Sequence, residues 1–290
     1  MNYDTYDIFT GILRMNNCFE DSDKITLDYD FKHPSLEILE EKYGLQLIAG
    51  NGDDITKSFN LLHWLSSNIT HSGNAKTKAT NIIDLMAHAF GNGVNGGINC
   101  AMLSHVLSGC LMAVGVFARE VKLIPCSPYD FESHRVVQVY SSELNKWVML
   151  DSTYSGYVID KNNNYLSILE IRHMLSMHEE IFLNEEFNYN GQNKDSNFYG
   201  KYLAKNTFCL ATPALMSFDN IKFDGFTYLC PKFFDIKKRD IACLEYKMIK
   251  SGFDLSDYIE ATKSEDYLFL SRETFALSPF NNAMYIKTEG

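Results

Sequence analysis

The segment GGINCAMLSHVL, residues 96–107, places a cysteine between a glycine-rich loop and a run of residues with helical spacing. Apolar residues recur at intervals of three and four after Cys100, which predicts a helix that begins there and ends at Gly115. Asn99 is the predicted N-cap of this helix. At a helix N-terminus, unpaired backbone N–H groups and the helix dipole stabilise a thiolate, which is the nucleophilic form of cysteine.

Three strand-like segments follow this helix, at residues 117–124, 134–140 and 146–151. If the second and third strands are antiparallel neighbours, His134 and Asp151 lie at the same end of the sheet. A thiol nucleophile needs a base to take its proton, and the base needs a third group to fix its tautomer. Taken singly, each of these residues has a simpler explanation: a buried cysteine, a surface histidine and an aspartate in a turn. Together they predict a catalytic triad of Cys100, His134 and Asp151.

From the cysteine onward, the chain resembles the transglutaminase-like superfamily of papain-like thiol enzymes. Within that superfamily it resembles the bacterial members. The family pattern is a cysteine heading a helix, G-[IV]-x-[AS]-R-x-V, a histidine opening a strand, and W-x-x-x-D-x-T. These elements fall here at Cys100, residues 115–121, His134 and residues 147–153. Ser152 departs from the pattern, because the family usually has proline there, and we therefore expect a looser turn.

The resemblance implies an α+β fold with a papain-like core, in which a helical front half packs on an antiparallel sheet. It also implies a mixed, strand-rich C-terminal extension that shapes the cleft. The expected division is an N-terminal part (1–75), a catalytic core (76–160) and the extension (161–290). The implied activity is cysteine-dependent acyl transfer at amide bonds of a peptide, protein or small amide, without a metal or organic cofactor.

Papain-like sites take a second oxyanion donor from the chain ahead of the nucleophile. Trp64 and His71 lie in this region, and Trp64 is the candidate that we select, together with Asn99 beside the thiol. His105 is five residues after Cys100, so it points away from the thiol on a helix and is expected at the surface.

Several elements flank the core. The sequence predicts a short strand at residues 24–30, helices over 35–43, 55–69 and 81–90, and further helices at 167–177 and 196–206. The rest of the chain is interpreted as strand-like. Its best hairpin signal is a turn at Asp224–Gly225.

Composition excludes several classes of protein. The chain has 290 residues and a net charge of −11, so its surface repels phosphate backbones and nucleic acid is an unexpected partner. Its apolar runs are too short to cross a bilayer, and the N-terminus lacks the features of a signal peptide. The seven cysteines have no C-x-x-C spacing, which indicates reduced thiols, no zinc site and a cytoplasmic location.

Two alternative functions stay open at this stage. An arylamine N-acetyltransferase-like enzyme uses the same triad order for acyl-CoA transfer, although that family's R-G-G-x-C-x-E motif matches only loosely here, with Met102 in place of the glutamate. A catalytically inert binding or scaffold protein could keep the same fold. The intact triad favours an enzyme over the inert protein.

Overall fold

The computed structural model describes residues 4–21, 26–219, 226–251 and 274–275. Helices and a mainly antiparallel sheet together form an α+β fold, as predicted. The α-helices are α1 (Thr5–Met15), α2 (Pro34–Tyr43), α3 (Leu45–Ala49), α4 (Asp54–Asn68), α5 (Ile82–Gly91), α6 (Cys100–Ala113), α7 (Ile168–Ser176), α8 (Ser196–Asn206) and α9 (Ile236–Ser251). A short 3₁₀ helix, Gly93–Gly96, precedes α6.

The main sheet contains eight strands of the described chain, in the order β10-β9-β8-β1-β2-β3-β4-β5. All neighbouring pairs are antiparallel except β9 and β10, which are parallel. A separate hairpin joins β6 to β7. The strands are β1 (Ala118–Ile124), β2 (His134–Ser141), β3 (Lys146–Asp151), β4 (Gly156–Ile159), β5 (Phe182–Leu183), β6 (Asn188–Tyr189), β7 (Gln192–Asn193), β8 (Cys209–Thr212), β9 (Thr227–Leu229) and β10 (Thr274–Phe275).

The helices of the front half begin and end at the signals that the sequence carries. Pro34 occupies the first turn of α2, and Gly44 ends this helix with a left-handed φ of 63°, a conformation that glycine adopts without steric cost. The Asp53 carboxylate accepts a hydrogen bond of 2.7 Å from the Thr56 N–H at the start of α4. The predicted helices in this half are therefore confirmed.

Alternate residues of the central strands face two different cores, because side chains on a strand point to opposite faces of the sheet. Val137 and Leu150 pack with α6 and the front-half helices. Val136 and Met149 pack on the other face, with residues of α7 and α8. The helix that begins at Cys100 is thus held between the sheet and the other front-half helices, with ten of its residues buried. Among the described residues, no helix has both the length and the apolar character needed to cross a membrane.

Some elements differ from the sequence interpretation. Within residues 26–30 the chain forms isolated bridges at Leu27 and Asp28, the latter to Leu215, where a strand was expected. Helices α1 and α9 occupy segments in which the sequence analysis predicts no helix, and α9 lies in the part interpreted as strand-like. The predicted turn at Asp224–Gly225 and residues 24–25 lie outside the described residues.

Packing of α6 on the sheet predicts a large stability effect for Leu107→Ala. Leu107 is completely buried in the core between α6 and the sheet, and such truncations cost about 2–5 kcal/mol in the free energy of unfolding. Leu47→Ala is the matched control, because Leu47 is 89% exposed. Urea unfolding followed by circular dichroism measures both variants. Equal midpoints for the two would contradict this packing.

Candidate active site

Cys100 is the first residue of α6, and Asn99 is the residue that caps this helix. The Asn99 side-chain oxygen accepts a hydrogen bond of 3.1 Å from the Met102 N–H. The predicted N-cap is confirmed. The cap leaves the first backbone N–H groups of α6 beside the thiol, where they stabilise negative charge.

A short parallel bridge brings the chain ahead of α5 next to the cysteine. Residue His71 pairs with Ile98. The Ile98 N–H donates to the Thr70 carbonyl at 3.1 Å, and the Ser72 N–H donates to the Ile98 carbonyl at 2.9 Å. Since Ile98 is two residues before Cys100, this bridge places the His71 imidazole beside the thiol.

His134 and Asp151 lie at the same end of β2 and β3. These strands are antiparallel, with Val137 opposite Leu150, so the start of β2 lies beside the end of β3. His134 Nε2 is 2.7 Å from Asp151 Oδ2. Because Nε2 is engaged with the carboxylate, the nitrogen that remains for the thiol is Nδ1.

The Asp151 carboxylate is completely buried and has two donors besides His134. The Tyr199 hydroxyl donates to Oδ2 at 2.6 Å, and the Thr153 N–H donates to Oδ1 at 2.9 Å. These donors fix the orientation of the carboxylate beside the imidazole. Tyr199 lies on α8, so the segment after the core supplies a direct contact to this carboxylate.

Burial and neighbouring groups act in opposite directions on the thiol and the imidazole. For Cys100, burial raises the pKa, but hydrogen bonds from His134 and His71 and the charge of His134 outweigh it and lower the pKa to about 6. For His134, burial lowers the pKa, but the charge and hydrogen bond of Asp151 and the contact with Cys100 raise it to about 10. Between these two values the site favours a thiolate paired with an imidazolium.

Helix α4 holds the turn that follows Asp151. The Ser66 hydroxyl donates to the Ser152 carbonyl at 3.1 Å, and His63 Nδ1 lies 2.9 Å from the Ser155 hydroxyl. Ser152 itself is buried, at 2% exposure. The missing proline at this position suggested a looser turn, but these side-chain contacts fix the backbone where a proline ring would otherwise restrict it.

The β6–β7 hairpin holds His71 through three contacts. The Asn190 side-chain oxygen accepts from the His71 N–H at 2.9 Å, and its amide nitrogen donates to the His71 carbonyl at 3.0 Å. The Tyr189 hydroxyl lies 3.0 Å from His71 Nδ1. The ring nitrogen of His71 that remains available for the Cys100 thiol is Nε2.

The other expected residues are found in different surroundings. The Trp64 ring lies in an aromatic cluster, 5.1 Å from the ring of Phe90 and 6.3 Å from that of Tyr43. His105 is buried at 1% exposure and bonds to Glu120, so the expectation that it lies at the surface is wrong. Its helix is covered on both sides, and a residue that points away from the thiol therefore still points into the protein.

Aromatic residues that the sequence did not single out surround His134. The ring centroid of Tyr202 is 5.2 Å from that of His134, and that of Tyr154 is 6.2 Å away. Tyr199 and Tyr202 both lie on α8, which the sequence predicts as a helix without a role in the site. Only the packing of α8 shows the contact of Tyr199 with Asp151.

Comparisons with known proteins leave the family open. No family model matches this chain, and no curated protein matches it. One similar solved structure is described as that of a candidate cysteine protease from Cytophaga hutchinsonii, with 10% sequence identity and a TM-score of 0.31. The match covers 56% of this chain and 54% of that one, so it spans about half of each.

The pKa values predict the pH dependence of thiol alkylation. Because the Cys100 pKa is lowered to about 6, iodoacetamide labelling should reach half its plateau near pH 6 as the thiolate forms. The pKa of His134 is raised to about 10, so the imidazolium partner should persist through this range. Mass spectrometry of each cysteine peptide measures the labelling rate. Half-buried Cys126, whose pKa is raised by burial, is the internal comparison, and a Cys100 midpoint near the free-thiol value of about 8.5 would contradict the prediction.

Proposed function

We propose that this chain is a cysteine-dependent acyl-transfer enzyme that acts on amide bonds, as a peptidase, an amidase or a protein-glutamine transamidase. The observation that carries the proposal is the buried bond between His134 and Asp151 beside a thiol of lowered pKa. A base oriented by a carboxylate, next to a cysteine at a helix N-terminus, is the arrangement that nucleophilic thiol catalysis requires. The same residues carry the resemblance to the transglutaminase-like superfamily, which we propose as the family.

In the first half of the proposed reaction, the Cys100 thiolate attacks the amide carbonyl carbon and a C–S bond forms. The carbonyl π electrons move to oxygen, which gives a tetrahedral intermediate. As this intermediate collapses, the C–N bond breaks and the His134 imidazolium gives its proton to the departing nitrogen. The products are an acyl-enzyme thioester, a free amine and a neutral imidazole.

In the second half, the neutral His134 removes a proton from water or from an acceptor amine, which attacks the thioester carbon. The C–S bond breaks, and the proton returns the site to a thiolate and an imidazolium. Asp151 keeps Nε2 of His134 engaged throughout, so Nδ1 stays directed towards the reacting atoms. Water as acceptor gives hydrolysis, whereas an amine gives transamidation.

For the oxyanion we propose two donors, the Cys100 backbone N–H and the His71 side chain. His71 contacts the thiol and lowers its pKa, whereas Trp64 packs in its aromatic cluster. A hydroxyl proton donated by Tyr189 to Nδ1 would leave the N–H of His71 on Nε2, where it can donate to the oxyanion. We therefore propose His71 for the role that the sequence suggested for Trp64, while Asn99 acts on the site as the helix cap.

The division of the chain into three parts remains a proposal, as does the role of the last of them, residues 161–290. Contacts from this part support the proposal that it shapes the cleft. It contributes the Tyr199 hydroxyl to Asp151 and the Asn190 side chain to the His71 backbone. We propose that it completes the site.

Replacing His134 by alanine tests the proposed function. Loss of the base should reduce the acetylation of Cys100 by p-nitrophenyl acetate by about 10²–10⁴-fold. The midpoint of iodoacetamide labelling should also rise towards the free-thiol pKa of about 8.5. His88→Ala, at a half-buried histidine on α5 outside the site, is the matched control and should change neither rate.

Rapid quenching followed by mass spectrometry measures both reactions on the same cysteine. Cys100 of the unchanged protein should be acetylated in a burst that Cys100→Ser abolishes. If Cys100 of the unchanged protein reacts no faster than Cys126 at neutral pH, the enzyme proposal fails and the inert binding protein is the better explanation.

Replacing His71 separates an oxyanion donor from a group that only lowers the thiol pKa. Alkylation by iodoacetamide forms no oxyanion, whereas acetylation by p-nitrophenyl acetate does. His71→Ala should therefore lower the ratio of acetylation to alkylation by about 10²–10³-fold, the usual effect of losing one such donor. His71→Gln keeps an N–H donor and should recover part of the loss, while an unchanged ratio in His71→Ala would contradict the assignment.

A further inference from the structure

Glu120 on β1 forms a buried polar set with one residue from α6 and one from β2. Its Oε1 is 2.8 Å from His105 Nδ1, and its Oε2 accepts a hydrogen bond of 2.8 Å from the Arg135 guanidinium. The side chains of Glu120 and His105 are 1% and 2% exposed. Lys122 lies two residues along β1 and directly opposite Arg135 on β2. Helix α9 adds the charges of Arg239, Asp240 and Lys247 around Lys122.

Each partner of Glu120 is attached to one half of the catalytic pair. His105 is on the helix that begins at Cys100, little more than one turn further along. Arg135 directly follows His134, and its backbone N–H bonds to the Cys100 sulfur. A single carboxylate therefore joins the element that carries the nucleophile to the strand that carries the base.

The backbone of Glu120 is itself fixed in the middle of the sheet. It lies opposite Val137 on β2, and its carbonyl accepts a hydrogen bond of 2.7 Å from the Thr212 hydroxyl on β8. The main chain from which the Glu120 carboxylate extends is therefore held in a fixed position. Its two oxygens hold their partners in set directions, and charge-assisted bonds of this kind constrain geometry more than apolar contacts do.

Stability alone is a poor explanation for these polar groups. Apolar rings lie against the partners of Glu120: the ring centroid of Phe218 is 5.8 Å from that of His105, and the ring of Phe226 is 5.5 Å from the Arg135 guanidinium. Burying a carboxylate and its partners in such a core is costly, and apolar residues of similar volume often stabilise a protein as well or better. Apolar packing would not supply directional bonds between α6 and β2, whereas these polar groups do.

We propose that Glu120 is a positioning residue, which keeps the Cys100 thiol and the His134 imidazole within hydrogen-bonding reach by tying α6 to β2. The inference rests on the proposed function. It assigns Glu120 no contact with the substrate. Glu120 acts through the elements on which the two reacting groups are mounted.

The test measures the pH midpoint of Cys100 alkylation and the midpoint of urea unfolding for Glu120→Leu and Glu120→Gln. If positioning is lost, the thiol loses its bond to the imidazolium and the alkylation midpoint rises. A rise from about 6 to about 8 would slow labelling at pH 7 about tenfold, because the thiolate fraction falls by that factor. Glu120→Leu should show this rise even where its unfolding midpoint equals or exceeds that of the unchanged protein.

A purely electrostatic role gives the opposite sign. Removing the carboxylate leaves the positive charge of Arg135 less compensated near the thiolate, and this would lower the thiol pKa. An alkylation midpoint that falls or stays the same in folded Glu120→Leu therefore overturns the proposal.

A second variant covers the case in which Glu120→Leu does not fold. His105→Gln keeps a donor for Glu120 and should retain the low midpoint, whereas His105→Leu should raise it. Equal midpoints for the two would overturn the proposal. Glu170→Gln is the matched control, because it removes an ion pair of 2.6 Å with Lys146, on the strand end away from Asp151, and should leave the Cys100 midpoint unchanged.

The alkylation midpoint of Cys100 in the unchanged protein separates failure of the proposed function from failure of the positioning role alone. A Cys100 midpoint near that of a free thiol in the unchanged protein overturns the proposed function and the positioning role with it. A low midpoint that survives in Glu120→Leu overturns the positioning role alone.

Discussion

The hydrogen bond between His134 and Asp151 joins two side chains that are almost completely removed from water. Burial disfavours a charge on the imidazole. The carboxylate accepts hydrogen bonds from Tyr199 and Thr153, and its charge raises the pKa of the His134 imidazole in spite of burial. The imidazolium in turn lowers the pKa of the Cys100 thiol. Each charge in the site therefore depends on the next, and the series begins at a carboxylate whose position is set by the pairing of two strands.

That pairing is supported from several directions. Antiparallel neighbours bring the start of β2 and the end of β3 together, and α4 fixes the turn beyond β3 through Ser66 and His63. A proline would restrict this turn through its own ring. Here contacts between distant parts of the chain fix it, so the backbone of the turn at Ser152 is held in place without a proline.

The sequence predicted those features that local physical chemistry determines. The cap at Asn99, the bounds of the front-half helices and the change from helical to strand periodicity after Gly115 all depend on residues close in the chain. The sequence favours Trp64 over His71 because the position of His71 beside the thiol depends on a bridge to Ile98, 27 residues away, which leaves no local pattern. The burial of His105 escapes sequence reasoning for a related reason. The angle between two residues around a helix axis predicts their relative directions. It does not predict which other elements of the protein pack against each face of the helix.

The order of the two pKa values also bears on how a single histidine could serve both halves of the proposed reaction. In the resting site the proton is already on His134, so it is available for the leaving nitrogen before any substrate arrives. Once Cys100 becomes a thioester, it no longer carries the negative charge that helps to raise the His134 pKa. The pKa of the His134 imidazole is therefore lower in the acyl-enzyme than in the resting site, although Asp151 still orients the ring. Acylation of the thiol thereby lowers the pKa of its partner towards the range in which a general base works at neutral pH.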